Sequence, residues 1–162
     1  MIVVCGGIKG GPGKTTVASN LAVLRARTHD VLLVDADEQE SATIFTGIRK
    51  SEQPNLPQFT SVILRDEQVR RELDRLASRY DDVIIDTGGR DTRSQRAGLS
   101  IADQLLLPFN PRSLDIWTIE NVEVLLHIAP FGRTLKYQGL YQGPDRCAVA
   151  SYVPRLITCA SS

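Results

Sequence analysis

The sequence predicts an α/β fold with a mostly parallel central sheet, and three observations carry that prediction. Short apolar runs at residues 2–5, 31–34, 83–85 and 105–107 lack polar alternation, as expected of strands covered on both faces. Segments with apolar residues at helical spacing lie between some of these runs, as at Val17, Leu21 and Leu24. Glycine or aspartate follows the first three runs directly, in the position where open α/β sheets gather ligands.

At 162 residues and 17.9 kDa the chain suits one domain able to bury its own core. Its 42% hydrophobic and 23% charged residues are ordinary for a soluble globular protein. Nineteen basic residues balance 19 acidic ones, which excludes a chain-wide basic footprint for nucleic acid and leaves room only for a local patch. The N-terminal apolar run is short and leads straight into glycines. It reads as neither signal peptide nor membrane span, so a cytoplasmic protein is expected. Cys5, Cys147 and Cys159 are odd in number and widely spaced, which suits buried or incidental thiols rather than a disulfide framework or metal site. His29 and His127 stand alone and are assigned no chemistry.

After the first run comes Lys9-Gly10-Gly11-Pro12-Gly13-Lys14-Thr15-Thr16, followed by the first helical segment, to about Arg27. Glycines let backbone N–H groups curl around phosphate oxygens, and the helix start adds its positive dipole end. Lys14 is placed to reach β and γ phosphates, and the Thr15 hydroxyl to bind a Mg²⁺ bridging them. The strict pattern G-x-x-x-x-G-K-[ST] needs glycine at position 8, where this chain has Ile8, so the match is to a variant. A second lysine, Lys9, stands at the mouth of the loop, placed to reach a nucleotide held by another subunit. With these residues the chain resembles the ParA/MinD family of deviant Walker A P-loop ATPases, whose motif K-G-G-x-G-K-T-T it repeats with Pro12 at the variable position. The resemblance implies a three-layer sandwich of the SIMIBI-like P-loop NTPase type. It also implies that Lys9 contacts the partner's ATP across a sandwich dimer.

Asp30 turns the chain into the second strand, which ends in Asp35-Ala36-Asp37-Glu38-Gln39-Glu40-Ser41. The resemblance gives Asp37 the role of positioning or activating the attacking water and Asp35 that of supporting the Mg²⁺ shell. Glu38 replaces a frequent proline. Capping of the next helix by Asp37 or Ser41 is the alternative reading. Residues 46–60 contain Gly47, Ser51, Pro54, Asn55 and Pro57 and are expected to form a surface loop, with a short strand within 59–64. Residues 65–80 predict a helix with the apolar stripe Val69, Leu73, Leu76, Ala77 and Tyr80. Its arginines suit a solvated face better than a DNA contact, because acids are interspersed.

Residues 83–85 then lead to Asp86-Thr87-Gly88-Gly89, the shape of a Walker B element in which Asp86 holds a water ligand of Mg²⁺. By the resemblance, the glycines are where a switch II backbone approaches the γ-phosphate, and residues 90–96 continue that switch into a helix. After the strand at 105–108, Pro111-Arg112-Ser113-Leu114-Asp115 resembles a family turn, with Ser113 capping a helix to about His127 and Trp117 packing on it. Residues 1–126 read as the P-loop ATPase core. Residues 127–162 read as a shortened or divergent tail of the same domain, aperiodic apart from one strand expected within 148–153.

The resemblance implies an ATPase that binds ATP or ADP with Mg²⁺ through Gly10, Gly11, Pro12, Gly13, Lys14, Thr15 and Thr16. Lys9, Lys14 and Asp37 would be catalytic, and Thr15, Asp35 and Asp86 would serve the metal. It implies a homodimer when ATP-bound, nonspecific DNA as a partner, a stimulating centromere-binding protein, no membrane, and a role in plasmid or chromosome partition. The competing readings are a MinD-like switch at a membrane, a small-molecule enzyme akin to dethiobiotin synthetase, and a regulatory nucleotide-binding module without turnover. The last residues are too short and weakly charged for the amphipathic helix that the membrane reading needs.

Overall fold

The computed structural model describes residues 1–7, 13–89, 92–109, 135–142 and 147–150. Its elements run β1 (Ile2–Cys5), α1 (Lys14–Arg25), β2 (Val31–Asp35), α2 (Ser41–Glu52), β3 (Thr60–Ile63), α3 (Glu67–Leu76) with a 3-10 turn (Ala77–Arg79), β4 (Asp82–Asp86), α4 (Arg93–Leu99), β5 (Gln104–Phe109), β6 (Lys136–Gln142) and β7 (Cys147–Ala150). The strands form one sheet in the order β3-β2-β4-β1-β5-β6-β7. All neighbours pair parallel except β6 and β7, which pair antiparallel.

The lack of polar alternation has its cause in two cores, one on each face of the sheet. Val4, Leu32, Val34, Val83, Ile85 and Leu105 pack with Val69 and Leu73 of α3 and Leu99 of α4. Their strand neighbours Val3, Cys5, Val31, Leu33, Ile84 and Leu106 face the other way and pack with Ala18 and Ala22 of α1 and Ala42 of α2. Three layers follow, helices on sheet on helices, with each fully buried Val, Leu or Ile contributing about 1.5–3 kcal/mol.

This topology positions the site. The chain leaves β1 for α1 on one face and leaves β4 for α4 on the other, although β1 and β4 are adjacent. Such a divergence opens a crevice at the carboxyl ends of the two strands. The register brings Cys5, Asp86 and Asp35 level there, Cys5 opposite Asp86 and Asp86 opposite Asp35. By strand parity all three lie on the α1 side.

Two expectations need correction. The first half of the anticipated loop at 46–60 is helical, since α2 runs to Glu52. Its inward residues are Ala42 and Arg49 while Ile44 and Ile48 are 59% and 53% exposed, so no apolar stripe faces the core and the helical period is masked. Arg49 instead donates to Gln53 Oε1 and to the Pro57 carbonyl, at 3.0 and 2.9 Å, pinning the connection to β3. In the tail, residues 136–142 form β6, which pairs with β5 from Gln104 opposite Lys136 to Phe109 opposite Tyr141. Interleaved Lys136, Gln138 and Gly139 hide this strand from a pattern search. The expected helix to His127 and its Ser113 cap lie outside the described residues.

Candidate functional site

The site is assembled from three strand ends and the start of α1. Beyond β1 the Gly6 N–H donates to the Leu106 carbonyl at 3.0 Å, and a Cβ at Gly6 would stand 3.2 Å from Leu105, so the chain leaves the sheet at a crowded point. Lys9, Gly10, Gly11 and Pro12 lie outside the described residues. The loop re-enters at Gly13, whose φ of 79° is left-handed and suits glycine, and Lys14 opens α1. No side chain caps α1 and its first turn holds no acid, so the positive end of its dipole faces the crevice.

Lys14 is buried, at 6% exposure. Burial lowers its pKa, and the charges of Asp86 and then Asp37 pull it back up. Asp86 is fully buried, and among the described residues only the Thr15 hydroxyl stands close enough to hydrogen-bond its carboxylate, without satisfying either oxygen. Its pKa is pushed up to about 7, mainly by burial; the neighbouring Thr15 hydroxyl lowers it, Asp35 and Asp37 raise it, and Lys14 lowers it. The same environment, burial first and Asp86 second, drives the Cys5 thiol far above its ordinary range, so this cysteine is a core residue and no nucleophile.

The two acids after β2 are held differently. Asp35 Oδ2 accepts from the Thr43 N–H at 2.8 Å and Oδ1 from the Asp37 N–H at 3.3 Å, so this side chain ties the end of β2 to the first turn of α2. Asp37 Oδ1 accepts from the Gln39 N–H at 3.2 Å. Its carboxylate also lies against Gly88, 3.5 Å from where a Cβ there would sit. Neither Asp37 nor Ser41 caps α2 through its side chain; Glu40 stands at that position with a φ of 52°. Thr16 is exposed.

The structure therefore brings Lys14, Thr15, Asp35, Asp37 and Asp86 into one crevice, with Gly13 at its edge. An incompletely bonded, fully buried carboxylate beside a threonine hydroxyl and a lysine is costly by itself and suits a divalent cation, which takes oxygen ligands. Among the described residues no three His, Cys, Asp or Glu side chains cluster to hold a metal unaided. Mg²⁺ is commonly held by one or two carboxylates together with substrate phosphates.

Several residues escape a reading of the sequence. The Thr87 hydroxyl donates to the Cys5 carbonyl at 3.0 Å, with Gln95 Oε1 3.3 Å away, locking the turn after β4 to the end of β1. Thr92 caps α4 by accepting from the Gln95 N–H at 3.1 Å, a cap its Thr-x-x-Gln spacing foreshadows. Arg65 donates to the Asp35 carbonyl, and nothing in the local sequence marks it.

A parallel sheet whose carboxyl-end crevice joins a glycine-led helix start to buried aspartates defines a P-loop nucleotide-binding domain. The chain belongs to the CobQ/CobB/MinD/ParA nucleotide binding domain family, whose profile matches residues 2–138. It is 36% identical over 116 residues to maintenance of carboxysome distribution protein A from Gloeobacter kilaueensis, an alignment covering 67% of this chain and 48% of the relative. The chain thus spans about half the length of that curated relative. A putative plasmid partition protein from Borrelia burgdorferi B31, bound to AMPPNP, superposes with a TM-score of 0.75 at 19% identity over 90% of this chain and 77% of that one. The pNOB8 ParA bound to nonspecific DNA gives 0.66 at 20% identity over 86% and 67%. At such identities the two superpositions establish the fold.

Proposed function

We propose that this chain is a Mg²⁺-dependent ATPase that dimerises around ATP and binds DNA nonspecifically in that state, serving partition or a related positioning of cargo. The observation that carries the reading is the buried, incompletely bonded Asp86 carboxylate set against Thr15 and Lys14 at the uncapped start of α1. In this reading the backbone of residues 10–16 cradles the phosphates and Lys14 neutralises charge at the β and γ positions. Thr15 and, through a water, Asp86 would hold Mg²⁺, which when bound withdraws charge from the transferring phosphoryl group. Asp35, its oxygens already engaged by N–H groups, supports that shell from its place beside Asp86. Asp37 orients the water for in-line attack on the γ-phosphorus, and Gly88 allows the turn after β4 to approach. Rate enhancement then comes from positioning and charge stabilisation, without a covalent intermediate.

Lys9 reaches the nucleotide of the second subunit, making closure depend on ATP. A relative named for carboxysome distribution and a ParA neighbour bound to nonspecific DNA support a cargo-positioning role on DNA. A partner protein that binds the cargo, a centromere complex in the partition case, would stimulate hydrolysis. Residues 127–162 belong to the same domain as the core at 1–126, and a DNA partner places the chain in the cytoplasm. No helix among the described residues is long and apolar enough to cross a membrane.

Sedimentation velocity with ATP, ADP or no nucleotide, with and without duplex DNA, tests the reading. The expected outcome is a dimer only with ATP, and co-sedimentation with DNA only for that dimer. Lys9→Ala is expected to stay monomeric with ATP. A wild-type chain that remains monomeric and off DNA in every condition would overturn the assignment, and an assembly indifferent to Lys9→Ala would remove the trans-acting lysine.

A further inference from the structure

Among the described residues only two that are not glycine have positive φ, Glu40 at 52° and Asp66 at 49°. Both lie at helix starts, Glu40 before α2 and Asp66 before α3, and neither side chain makes a capping bond there. Asp66, with ψ at −124°, occupies a conformation that L side chains rarely adopt. Strain of this kind persists only where surrounding bonds hold it, and it collects at functional sites.

The residue that connects the two is Arg65. Its Nη1 donates to the Asp35 carbonyl at 2.7 Å and its Nη2 to Glu40 Oε1 at 3.1 Å. Asp35 and Glu40 are the two ends of the short loop that carries Asp37. One guanidinium thus spans that loop, using the fork geometry that lysine lacks. The Asp35 carbonyl is also met by the Leu64 N–H at 3.2 Å, so the β3–α3 connection grips the loop through backbone and side chain together. The next residue faces the other way: the Asp66 N–H donates to Ser94 Oγ at 2.8 Å. Ser94 is buried in the first turn of α4, the helix that follows the Asp86-Thr87-Gly88-Gly89 turn. Two consecutive residues far from the phosphate loop in sequence therefore fasten the loop that carries Asp37 and, on the other side, the start of α4, and the backbone is strained at Glu40 and at Asp66 itself.

We propose that Arg65 is a positioning residue for Asp37: it fixes the span from Asp35 to Glu40, and the adjoining Asp66–Ser94 bond ties that span to α4, so that the Asp37 loop and the start of α4 move as one. The inference rests on the ATPase reading for its kinetic consequence and on geometry alone for its structural one. Release of the guanidinium fork leaves the phosphate cradle of α1 untouched, so it should affect turnover more than nucleotide binding.

The test uses the full chain, with Arg65→Ala, Arg65→Lys, Glu40→Ala and the double variant Arg65→Ala/Glu40→Ala. Hydrogen exchange without nucleotide is expected to quicken about tenfold or more at amides 37–43 and 92–96 in Arg65→Ala, with the β4 amides unchanged. In steady-state ATP hydrolysis, kcat is expected to fall about tenfold in Arg65→Ala and less in Glu40→Ala, with KM within twofold. Arg65→Lys should stay well below wild type because one ammonium cannot bridge both acceptors. The double variant should be no slower than Arg65→Ala, since both changes break one clamp. Glu40 is exposed and its replacement leaves the core intact, which keeps the test independent of any folding defect in the arginine variants. Unchanged exchange at 37–43 in Arg65→Ala overturns the inference whether or not the chain hydrolyses ATP. A wild-type chain without turnover sinks the ATPase reading instead, and the exchange data then decide the clamp.

Discussion

The two ends of β4 carry the same residue type in nearly the same burial and in opposite circumstances. Asp82 at the strand's start is 2% exposed and Asp86 at its end 0%. Asp82 is met by Arg25 Nε at 2.5 Å and by the Met1 amine at 3.9 Å. Its neighbours at that rim are equally settled: Asp81 accepts from the Asp30 N–H at 2.9 Å and Asp103 from the Ile2 N–H at 2.7 Å. Among the described residues Asp86 has neither carboxylate oxygen satisfied, with only the Thr15 hydroxyl beside it and two further aspartates nearby. An acid whose bonds are complete holds strands together. One left incomplete beside a lysine, a threonine and an uncapped helix start is prepared for something to arrive, and this contrast separates scaffold from site more sharply than burial does.

The largest expected effect that sharpens the contrast is at Asp37. Asp37→Ala should lower ATP turnover by about 10²–10⁴-fold while ATP affinity changes by only a few-fold, because in the proposed reading the acid acts on water and not on the phosphate cradle. Single-turnover hydrolysis of bound ATP checks this, and a variant that turns over normally removes Asp37 from the chemistry.

Next comes the energetic signature of the unpaired acid. With a folded pKa near 7 against an ordinary 3.8, Asp86 binds more protons folded than unfolded between those values. Stability without nucleotide should therefore fall as pH rises through that window, by about 3 kcal/mol between pH 5 and 8, and level off above pH 7. Asp86→Asn should remove this contribution and be the more stable protein at pH 8. Urea unfolding of both chains across the range measures it, and a wild-type contribution of zero from Asp86 would erase the difference between the strand's two ends.

The smallest effect belongs to the satisfied end. Arg25→Ala leaves Asp82 with only the distant amine and should cost about 1–2 kcal/mol, reduced by the partial exposure of Arg25, with turnover unchanged within twofold. Thermal unfolding and ATPase assays on the same preparation separate the two quantities. Lost turnover in a stable Arg25→Ala protein would mean that this rim also belongs to the working part.

What was legible in the sequence followed from local pattern. The runs at 2–5, 31–34 and 83–85 announce central strands because each is packed on both faces, and the aspartates that close two of them fall level because neighbouring parallel strands end together. α2 was not legible, since its inward face is built from Ala42 and Arg49 and its isoleucines point outward. β6 was hidden because polar residues and a glycine break up its apolar character. The fastenings of the site were illegible for another reason. Arg65 meets Asp35 across 30 positions and Thr87 meets Cys5 across 82, and contacts that long leave no trace in spacing.

The level register of β2 and β4 has one more consequence. Side chains alternate along a strand, so inserting a single residue into β4 before Asp86 would swing that carboxylate to the α3 and α4 side, and every residue shifted with it would exchange one core for the other. The parity that packs the interior thus also guards the chemistry. A frame slip in either strand yields a misfolded chain before its altered site can ever be tried.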